Sequence, residues 1–346
     1  MSSKIYNLNI SEIEPLLTPF DLKNELPLSE SGSNKILYYR DKIESILNHE
    51  SKKFMVITGP CSIHNASEAL EYAERLNKLN NKLSDKLMII MRVYFEKPRT
   101  TIGWKGLIYD PFLDSTYNMT EGLRTARKLL LDIDKIGLPT ATEILDPVTV
   151  QYFSDLISWA AIGARTAESQ PHRQLVSGLS MPAGFKNSTN GNINTAIEAI
   201  QTAMHEHAFI GLLEDGRSGI FHTKGNIYSH IVLRGSQQSP NYSSEHVAYT
   251  RELMHKLNIT PNIIIDCSHS NSNKTASKQA LVLDDVIKQK NNGEDSIVGV
   301  MIESNLCPGK QKINSRDNLK YGISITDECI GWEETEELLS KLHESI

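Results

Sequence analysis

Cysteine is scarce in this sequence, and its thiols are far apart. Four occur among 346 residues, at positions 61, 267, 307 and 329. A set this small and scattered does not build a disulfide scaffold, so packed thiols or metal ligands are the more natural uses. Neither a Cys-x-x-Cys pair nor a His-Glu-x-x-His motif is present. The usual signatures of thiol redox sites and helix-borne zinc sites are therefore missing.

Long apolar runs and an excess of positive charge are missing as well. No apolar stretch approaches the roughly 18 to 20 residues that span a bilayer, and the segment MSSKIYNLNI has no apolar signal-peptide core. The formal net charge is -6, so no overall basic field attracts nucleic acid or anionic lipid. We expect a soluble cytoplasmic protein without a nucleic-acid or membrane partner, in which a local cluster of cations binds any anionic substrate.

What the sequence does contain, from Phe54 onward, is a regular alternation of short apolar runs and longer amphipathic ones. This alternation is typical of βα units and a parallel sheet. Segments such as EALEYAERLNKLNNKL and INTAIEAIQTAMHEH are predicted as outer helices. Eight runs are predicted as strands, the number that an α/β protein with a (β/α)8 TIM barrel requires: FMVIT, LMIIMRV, PTATE, SWAAIGA, PAGFK, HIVLRG, NIIIDC and IVGVMIE.

Two segments fall outside this alternation. Residues 1–50 combine a polar, proline-containing arm with the helical stretch SNKILYYRDKIESILN, and we interpret them as an N-terminal extension to a barrel domain of residues 51–346. The segment AFIGLLEDGRSGIFHTKGN splits two apolar runs at Glu-Asp-Gly, which is a hairpin signal. We expect an inserted β-hairpin at about residues 207–228.

Charged or ligating residues follow the predicted strands. Because the C-terminal ends of barrel strands converge on one mouth, these side chains are expected to build the active site there. A single strand-end cation is more often an ordinary solvated residue, and lone cysteines or histidines are more often packed than ligating. The series as a whole nevertheless favours a site, and its cations suit phosphate and carboxylate groups: Arg92, Lys97, Arg99, Arg165, Lys186 and Arg234.

A second group combines a thiol, an imidazole and carboxylates. Cys61, His269 and Glu303 follow predicted strands, and Asp327 lies just beyond the last one. This mixture suits a first-row divalent metal better than Mg²⁺ or Ca²⁺, which prefer all-oxygen shells. His64 is either a further ligand or a residue at the entry of a helix, and we favour the second interpretation.

Nine motifs together resemble the type I DAHP synthases, in the branch with an N-terminal extension and an inserted hairpin. The resemblance runs from about Leu16 to the C-terminal helix. The motifs are GPCSIH (59–64), RVYFEKPRTTIGWKG (92–106), TATE (140–143), GART (163–166), SMPAGFKN (180–187), VLRG (232–235), DCSHSNSNK (266–274), MIESN (301–305) and SITDECIGW (324–332).

The resemblance implies a transferase, 3-deoxy-7-phosphoheptulonate synthase, at the first step of the shikimate pathway. It would join phosphoenolpyruvate to erythrose 4-phosphate, with Lys97, Cys61 and His269 as catalytic residues. One divalent ion (Mn²⁺, Fe²⁺, Co²⁺ or Zn²⁺) is implied, held by Cys61, His269, Glu303 and Asp327. Arg99 and Thr100 would hold the erythrose 4-phosphate phosphate. Phosphoenolpyruvate is expected at Arg92, Lys97, Arg165, Lys186 and Arg234, with Glu143 nearby.

Two alternative functions compete with this assignment, and the sequence departs from the family pattern in two places. The sister enzyme that makes 3-deoxy-D-manno-octulosonate 8-phosphate has a signature resembling KANRS after its lysine, whereas this chain has KPRT. A non-catalytic sensor of aromatic amino acids would have little use for the complete set of metal and phosphate residues. The departures are Cys307-Pro308 and Tyr109, which precedes Asp110 where Asn is common.

Relatives with the extension and hairpin are homo-oligomers inhibited by an aromatic amino acid, so we expect a homodimer or homotetramer with an effector site near Gln151 and Ser180. The helix from Asn34 to Leu47 has no evident place in the barrel, and the arm is expected to pack on a neighbouring subunit. Gly211 leaves room for a phenolic hydroxyl where a serine would crowd it, which favours tyrosine over phenylalanine. An equally good interpretation is that Gly211 eases the turn into the hairpin.

Overall fold

Eight parallel strands form a closed barrel in the computed structural model, which describes residues 5–313 and 316–346. The predicted barrel, with its N-terminal extension and inserted hairpin, is confirmed. In chain order the barrel strands are β1 Phe54–Gly59, β2 Leu87–Arg92, β3 Thr140–Glu143, β4 Trp159–Ile162, β5 Ala183–Lys186, β8 Ser229–Leu233, β9 Ile263–Asp266 and β10 Ile297–Glu303, and β10 pairs with β1 to close the ring.

The hairpin strands β6 Ala208–Leu212 and β7 Ser218–His222 interrupt the barrel order between β5 and β8. Their side chains alternate, as a two-faced sheet requires. The rings of Phe209 and Phe221 stack on one face, with centroids 5.6 Å apart. The paired Ile210 and Ile220 lie on the other face and are 81% and 69% exposed. The hairpin therefore presents an apolar outer face to solvent.

Helices surround the barrel along its sides and at one end. Their bounds are α1 Pro19–Glu25, α2 Glu30–Leu47, α3 Ala66–Leu83, α4 Met119–Ile136, α5 Gln170–Val176, α6 Asn194–Ala203, α7 Ser244–Lys256, α8 Gln279–Asn291 and α9 Trp332–Ser345. Two 3-10 turns, Thr149–Tyr152 and Ser154–Leu156, occupy the crossover between β3 and β4. No described helix is both long enough and apolar enough to cross a membrane.

The helix α6 ends four residues earlier than the predicted segment INTAIEAIQTAMHEH. The chain leaving the hairpin packs against its C-terminus, where the backbone N–H of Asn226 donates to the carbonyl of Ala203. Gly225 contacts the same turn so closely that a Cβ there would lie 2.2 Å from the Met204 carbonyl oxygen. A longer helix would therefore collide with the exit of the hairpin.

The helix α2 closes the N-terminal end of the barrel. Its Ile43, Ile46 and Leu47 belong to one buried apolar cluster with inward-facing strand residues such as Ile57 and Met301. Polar contacts hold it in place: Arg40 donates to the carbonyl of Ile157, and the Leu47 carbonyl accepts from Asn262. The expectation that this helix has no place in the barrel is therefore wrong, because its apolar face completes the barrel interior.

Candidate active site

Strand register brings the predicted metal ligands to one mouth of the barrel. Gly59 of β1 pairs with Glu303 of β10, so Cys61, two residues further, emerges beside that carboxylate. Gly59 permits this turn, since its φ is 155° and a Cβ there would lie 2.6 Å from the Arg92 carbonyl oxygen. One donor atom from each of Cys61, Glu303 and Asp327 lies within 4.8 Å of the others.

Asp327 is carried by a segment tied to the two neighbouring strand ends. Ile330 bridges to Ser304 just after β10, and the Thr326 hydroxyl lies 2.8 Å from the Ser62 hydroxyl. Burial raises the pKa of Asp327, but nearby positive charges, that of Lys97 above all, lower it below its usual value. The carboxylate is thus held ionised beside the thiol.

His269 lies beside this donor group, but its ring nitrogens are not among the atoms that lie within 4.8 Å of one another. Its Nε2 lies 3.8 Å from Glu303 Oε1, and its Nδ1 lies 2.9 Å from Asp266 Oδ2 on the opposite side. The backbone of His269 has φ 53°, a left-handed conformation that is uncommon for residues other than glycine. The fourth predicted ligand therefore faces the donor group from the side of Glu303.

The thiol of Cys61 is buried, and burial raises its pKa, as does the neighbouring Glu303. Lys97 opposes this shift, because its Nζ lies 3.3 Å from Cys61 Sγ. A thiolate in such a place needs a nearby positive charge. A divalent first-row cation would fit, since sulfur, nitrogen and carboxylate oxygen are the donors that such ions accept.

The floor of the mouth is the ring of Tyr94, with three cations around it. The Arg92 guanidinium lies 3.6 Å from the ring centroid, and the ammonium nitrogens of Lys97 and Lys186 each lie 5.8 Å from it. Cations near an aromatic face are stabilised by its electron density. Tyr94 was not identified from the sequence, although its position two residues after Arg92 in RVYFEK places both on the same face of an extended chain.

Buried carboxylates hold these cations in place. Arg92 donates to Glu303 at 2.8 Å, and its anionic neighbours raise its pKa even though burial alone would lower it. Lys186 Nζ lies 3.3 Å from Asp266 and 4.0 Å from Glu143. Asp266 was not identified from the sequence, because only His269 was singled out in the motif DCSHSNSNK. The signal that could have found it is a carboxylate three residues before a candidate ligand histidine.

The remaining predicted substrate residues differ in their exposure to solvent. Arg234 is buried and donates to the Ser270 hydroxyl at 3.2 Å; burial lowers its pKa, and the positive charge of Arg165 adds to that effect. Arg165, Arg99 and Thr100 are exposed, and Arg99 donates to the carbonyl of Trp104 at 2.8 Å. The predicted erythrose 4-phosphate residues therefore sit on the rim, apart from the metal group.

A separate cavity of about 320 Å³ lies under the hairpin. Gln151 and Ser180 line it, together with the inward rings of Phe209 and Phe221. Gly211 lies between these rings, and a Cβ there would approach the Phe221 ring to 2.9 Å. Two charged residues in its wall were not identified from the sequence, because they come from distant segments: Arg40 and Asp155.

Comparisons with known proteins agree with this architecture. Residues 27–340 match the DAHP synthetase I family. The phenylalanine-sensitive phospho-2-dehydro-3-deoxyheptonate aldolase of Escherichia coli is 50% identical over 98% of this chain and 97% of its own. The tyrosine-sensitive enzyme of the same species is 47% identical over 98% and 96%. A solved phospho-2-dehydro-3-deoxyheptonate aldolase from Francisella tularensis superposes with a TM-score of 0.95 at 47% identity, over 98% of both chains.

Proposed function

Because the chain belongs to the DAHP synthetase I family and is an enzyme of the DAHP synthase class, we propose that it condenses phosphoenolpyruvate with erythrose 4-phosphate and water to give DAHP and phosphate. The observation that carries this proposal is the donor group of Cys61, Glu303 and Asp327 directly beside the ammonium of Lys97. A ligating group and a proton donor at one barrel mouth are what such a condensation requires.

Phosphoenolpyruvate brings a phosphate and a carboxylate to the cations of the mouth, of which Lys186 and Arg234 are buried and Arg165 is exposed. Lys186, Arg234 and Arg165 provide the positive charges that bind these two anionic groups. Arg92 adds a further positive charge from the barrel interior. Glu143, 4.0 Å from Lys186 Nζ, orients that ammonium. The phosphate of erythrose 4-phosphate is bound at the rim by Arg99 and Thr100, which places its aldehyde toward the centre.

We assign to Lys97 the role of proton donor in the condensation. The C3 carbon of phosphoenolpyruvate attacks the aldehyde carbon, water adds at C2, and phosphate leaves with cleavage of its C–O bond. The alkoxide that develops on the aldehyde oxygen takes a proton, and we assign its donation to the Lys97 ammonium. Cys61, His269, Glu303 and Asp327 would hold one divalent ion (Mn²⁺, Fe²⁺, Co²⁺ or Zn²⁺), which would supply Lewis-acid chemistry at this mouth.

The reaction is tested with a panel of aldehyde substrates. Purified protein should consume phosphoenolpyruvate and release phosphate only with erythrose 4-phosphate and a divalent metal, and strong chelation should abolish turnover. Re-addition of Mn²⁺ or Co²⁺ should restore it. Preferred turnover of arabinose 5-phosphate would overturn the assignment, and full activity after exhaustive metal removal would overturn the ligand set.

The cavity under the hairpin supports a second function, inhibition by an aromatic amino acid. Phe209 and Phe221 offer apolar rings for the side chain of an amino acid. Arg40 provides a positive charge for its carboxylate, and Asp155, which is also paired with Arg127, provides a negative charge for its ammonium. We favour tyrosine as the effector because Gly211 has no side chain: the Phe221 ring lies 2.9 Å from where a Cβ would be, so a larger residue would push this ring and change the cavity wall. Since the phenylalanine-sensitive and tyrosine-sensitive relatives are almost equally similar, inhibition assays must decide between these amino acids.

Assembly into a homodimer or homotetramer through the arm is the third part of the proposal. Ile5, Leu8 and Ile13 are each more than half exposed, and the hairpin exposes Ile210 and Ile220. An exposed apolar patch on a protein of this kind favours association. We assign the arm of one subunit to the outer face of its partner's hairpin, next to the effector cavity.

A further inference from the structure

We propose that Asp266 is a positioning residue that couples His269 to Lys186, so that one carboxylate aligns the ligand of the metal and the ammonium that binds phosphoenolpyruvate. This inference deepens the proposed function and rests on it. The residue is the last of β9 and its side chain is completely buried. A carboxylate in such a place is costly unless partners compensate its charge.

Each oxygen of Asp266 has its own set of neighbours. Oδ1 accepts from the backbone N–H of Ser268 at 3.0 Å and from the Ser268 hydroxyl at 2.5 Å. Among the described residues Oδ2 has no well-aligned hydrogen bond, but it lies 2.9 Å from His269 Nδ1 and 3.3 Å from Lys186 Nζ. The interaction of Oδ2 is therefore an electrostatic one with two partners at once.

This arrangement determines which nitrogen of His269 carries the proton. The Ser268 hydroxyl gives its hydrogen to Asp266 Oδ1, because an ionised carboxylate only accepts. Ser268 Oγ also lies 2.8 Å from His269 Nδ1, so the hydroxyl can only accept there and Nδ1 must donate. With its proton on Nδ1, the ring turns the lone pair of Nε2 toward Glu303, the side on which the metal donors lie.

The same carboxylate reaches Lys186 across the barrel. Lys186 ends β5, which is separated from β9 by β8, so the two side chains meet in the interior rather than along a strand pair. Asp266 is closer to this ammonium than Glu143 is, at 3.3 Å against 4.0 Å. Movement of Asp266 would therefore displace the two groups together.

The test replaces Asp266 by asparagine, which keeps the shape and removes the charge. Co²⁺ is titrated into metal-free, full-length protein and followed through the absorption of the cobalt-thiolate bond, and phosphoenolpyruvate binding to Mn²⁺-saturated protein is followed by calorimetry. We expect Asp266→Asn to weaken both by about 10-fold to 100-fold, the usual effect of losing a partner of a ligating histidine. Asp134→Asn, a buried carboxylate paired with Lys35 far from the mouth, should change neither.

The outcomes separate this inference from the proposed function. Wild-type affinities in Asp266→Asn would overturn it, and so would a loss in only one of the two affinities. A wild-type protein that binds Co²⁺ and phosphoenolpyruvate but makes no DAHP would instead overturn the function. Should the variant not fold, nitrogen-15 NMR of the His269 ring in the metal-free wild type at pH 8 decides: hydrogen on Nδ1 alone supports the inference, whereas an Nε2–H or a doubly protonated ring overturns it.

Discussion

At the scale of the residue, the four cysteines show how surroundings assign a role to a side chain. Cys61 is buried with an ammonium 3.3 Å from its sulfur. Cys267 and Cys329 are also buried, and burial raises the pKa of both thiols well above the usual range. Cys307 is half-buried, outside the donor group. Of the four, Cys61 is the one whose sulfur lies in the donor group with Glu303 and Asp327 and beside an ammonium.

Replacement of Cys61 by serine should weaken metal binding and lower kcat. Removal of a ligand costs at least as much as removal of a partner of a ligand, so we expect a loss of at least about ten-fold in Co²⁺ affinity, measured by competitive titration. The matched control is Cys307→Ser, which should stay near the wild type. Similar losses in both variants would contradict the special position of Cys61.

A second prediction concerns Glu96, next to Lys97 in the chain. Within the described part of the chain its Oε1 has no hydrogen-bond partner, and its Oε2 accepts from the Thr149 hydroxyl at 3.1 Å. Burial raises the pKa of Glu96 to about 8, with a further contribution from Asp146, whose carboxylate accepts from the phenol of Tyr109. The folded protein therefore holds a proton here that the unfolded chain releases near pH 4 to 5.

The sign of the effect follows from that difference in bound protons. The stabilisation from protonated Glu96 is complete below about pH 4.5 and is lost as pH rises through about 8. Glu96→Gln is permanently neutral, so its melting temperature should exceed that of the wild type at pH 9 and equal it near pH 5, by scanning calorimetry. Glu74→Gln, on an exposed site, should follow the wild type at both values; a Glu96→Gln curve parallel to the wild type would contradict the buried proton.

At the scale of the element, the strands could be predicted because most of them are short apolar runs, and a charged or ligating residue ends each run or follows it within three positions. The hairpin could be predicted because Asp215-Gly216 supplies a turn, and Gly216 has φ 84°. The place of α2 could not, since its partners come from several strands far along the chain. The contact of Asp266 with Lys186 could not be predicted either, because 80 positions separate the two residues in the sequence.

The hairpin carries the prediction on effector choice. Gly211→Ser would bring its Cβ within 2.9 Å of two Phe221 ring carbons, which pushes that ring and changes the cavity wall. We expect tyrosine to inhibit the wild type in initial-rate assays, and the serine to raise the inhibitory concentration of tyrosine about ten-fold or more.

Gly211→Ala distinguishes the effect of side-chain volume from that of the serine hydroxyl, since alanine adds the same Cβ without a hydroxyl. An equal effect of alanine and serine would assign the change to the Phe221 ring. Inhibition of the wild type by phenylalanine alone would refute the size argument, and inhibition by neither amino acid would refute the effector site.

At the scale of the whole molecule, stability in acid depends on a histidine inside the barrel. Trp159 Nε1 donates to His230 Nε2 at 3.0 Å, and His230 Nδ1 donates to the Tyr228 carbonyl at 2.9 Å. Burial lowers the pKa of His230 to about 4. The unfolded chain therefore takes up a proton first, and stability should fall from pH 6.5 toward pH 4 by up to about 3 kcal/mol.

Urea unfolding at pH 7 and pH 5 measures this loss. His230→Gln retains a donor and an acceptor but cannot be protonated, so its free energy of unfolding should change less between the two pH values than that of the wild type. Equal changes in the two proteins would show that His230 does not control acid stability.

The arm is the feature that we expect to determine assembly. Deletion should stop before Leu17, because the Leu17 carbonyl accepts from Tyr152 and Leu22 is buried against the barrel. Removal of residues 1–16 should shift the protein toward monomers in light scattering at micromolar concentration, and should weaken tyrosine inhibition more than turnover. A full-length protein that is monomeric under these conditions would contradict the assignment.

The seal that α2 forms at the base of the barrel has a consequence for the order of folding. This helix is the early part of the chain, yet the apolar cluster that Ile43 and Ile46 join includes Met301 of the last strand. Contacts so distant in sequence form late, since the intervening loop must close first. During synthesis the apolar face of the helix therefore stays uncovered until some 250 further residues have been made. We expect closure of the barrel and docking of α2 to occur together, in one late folding step.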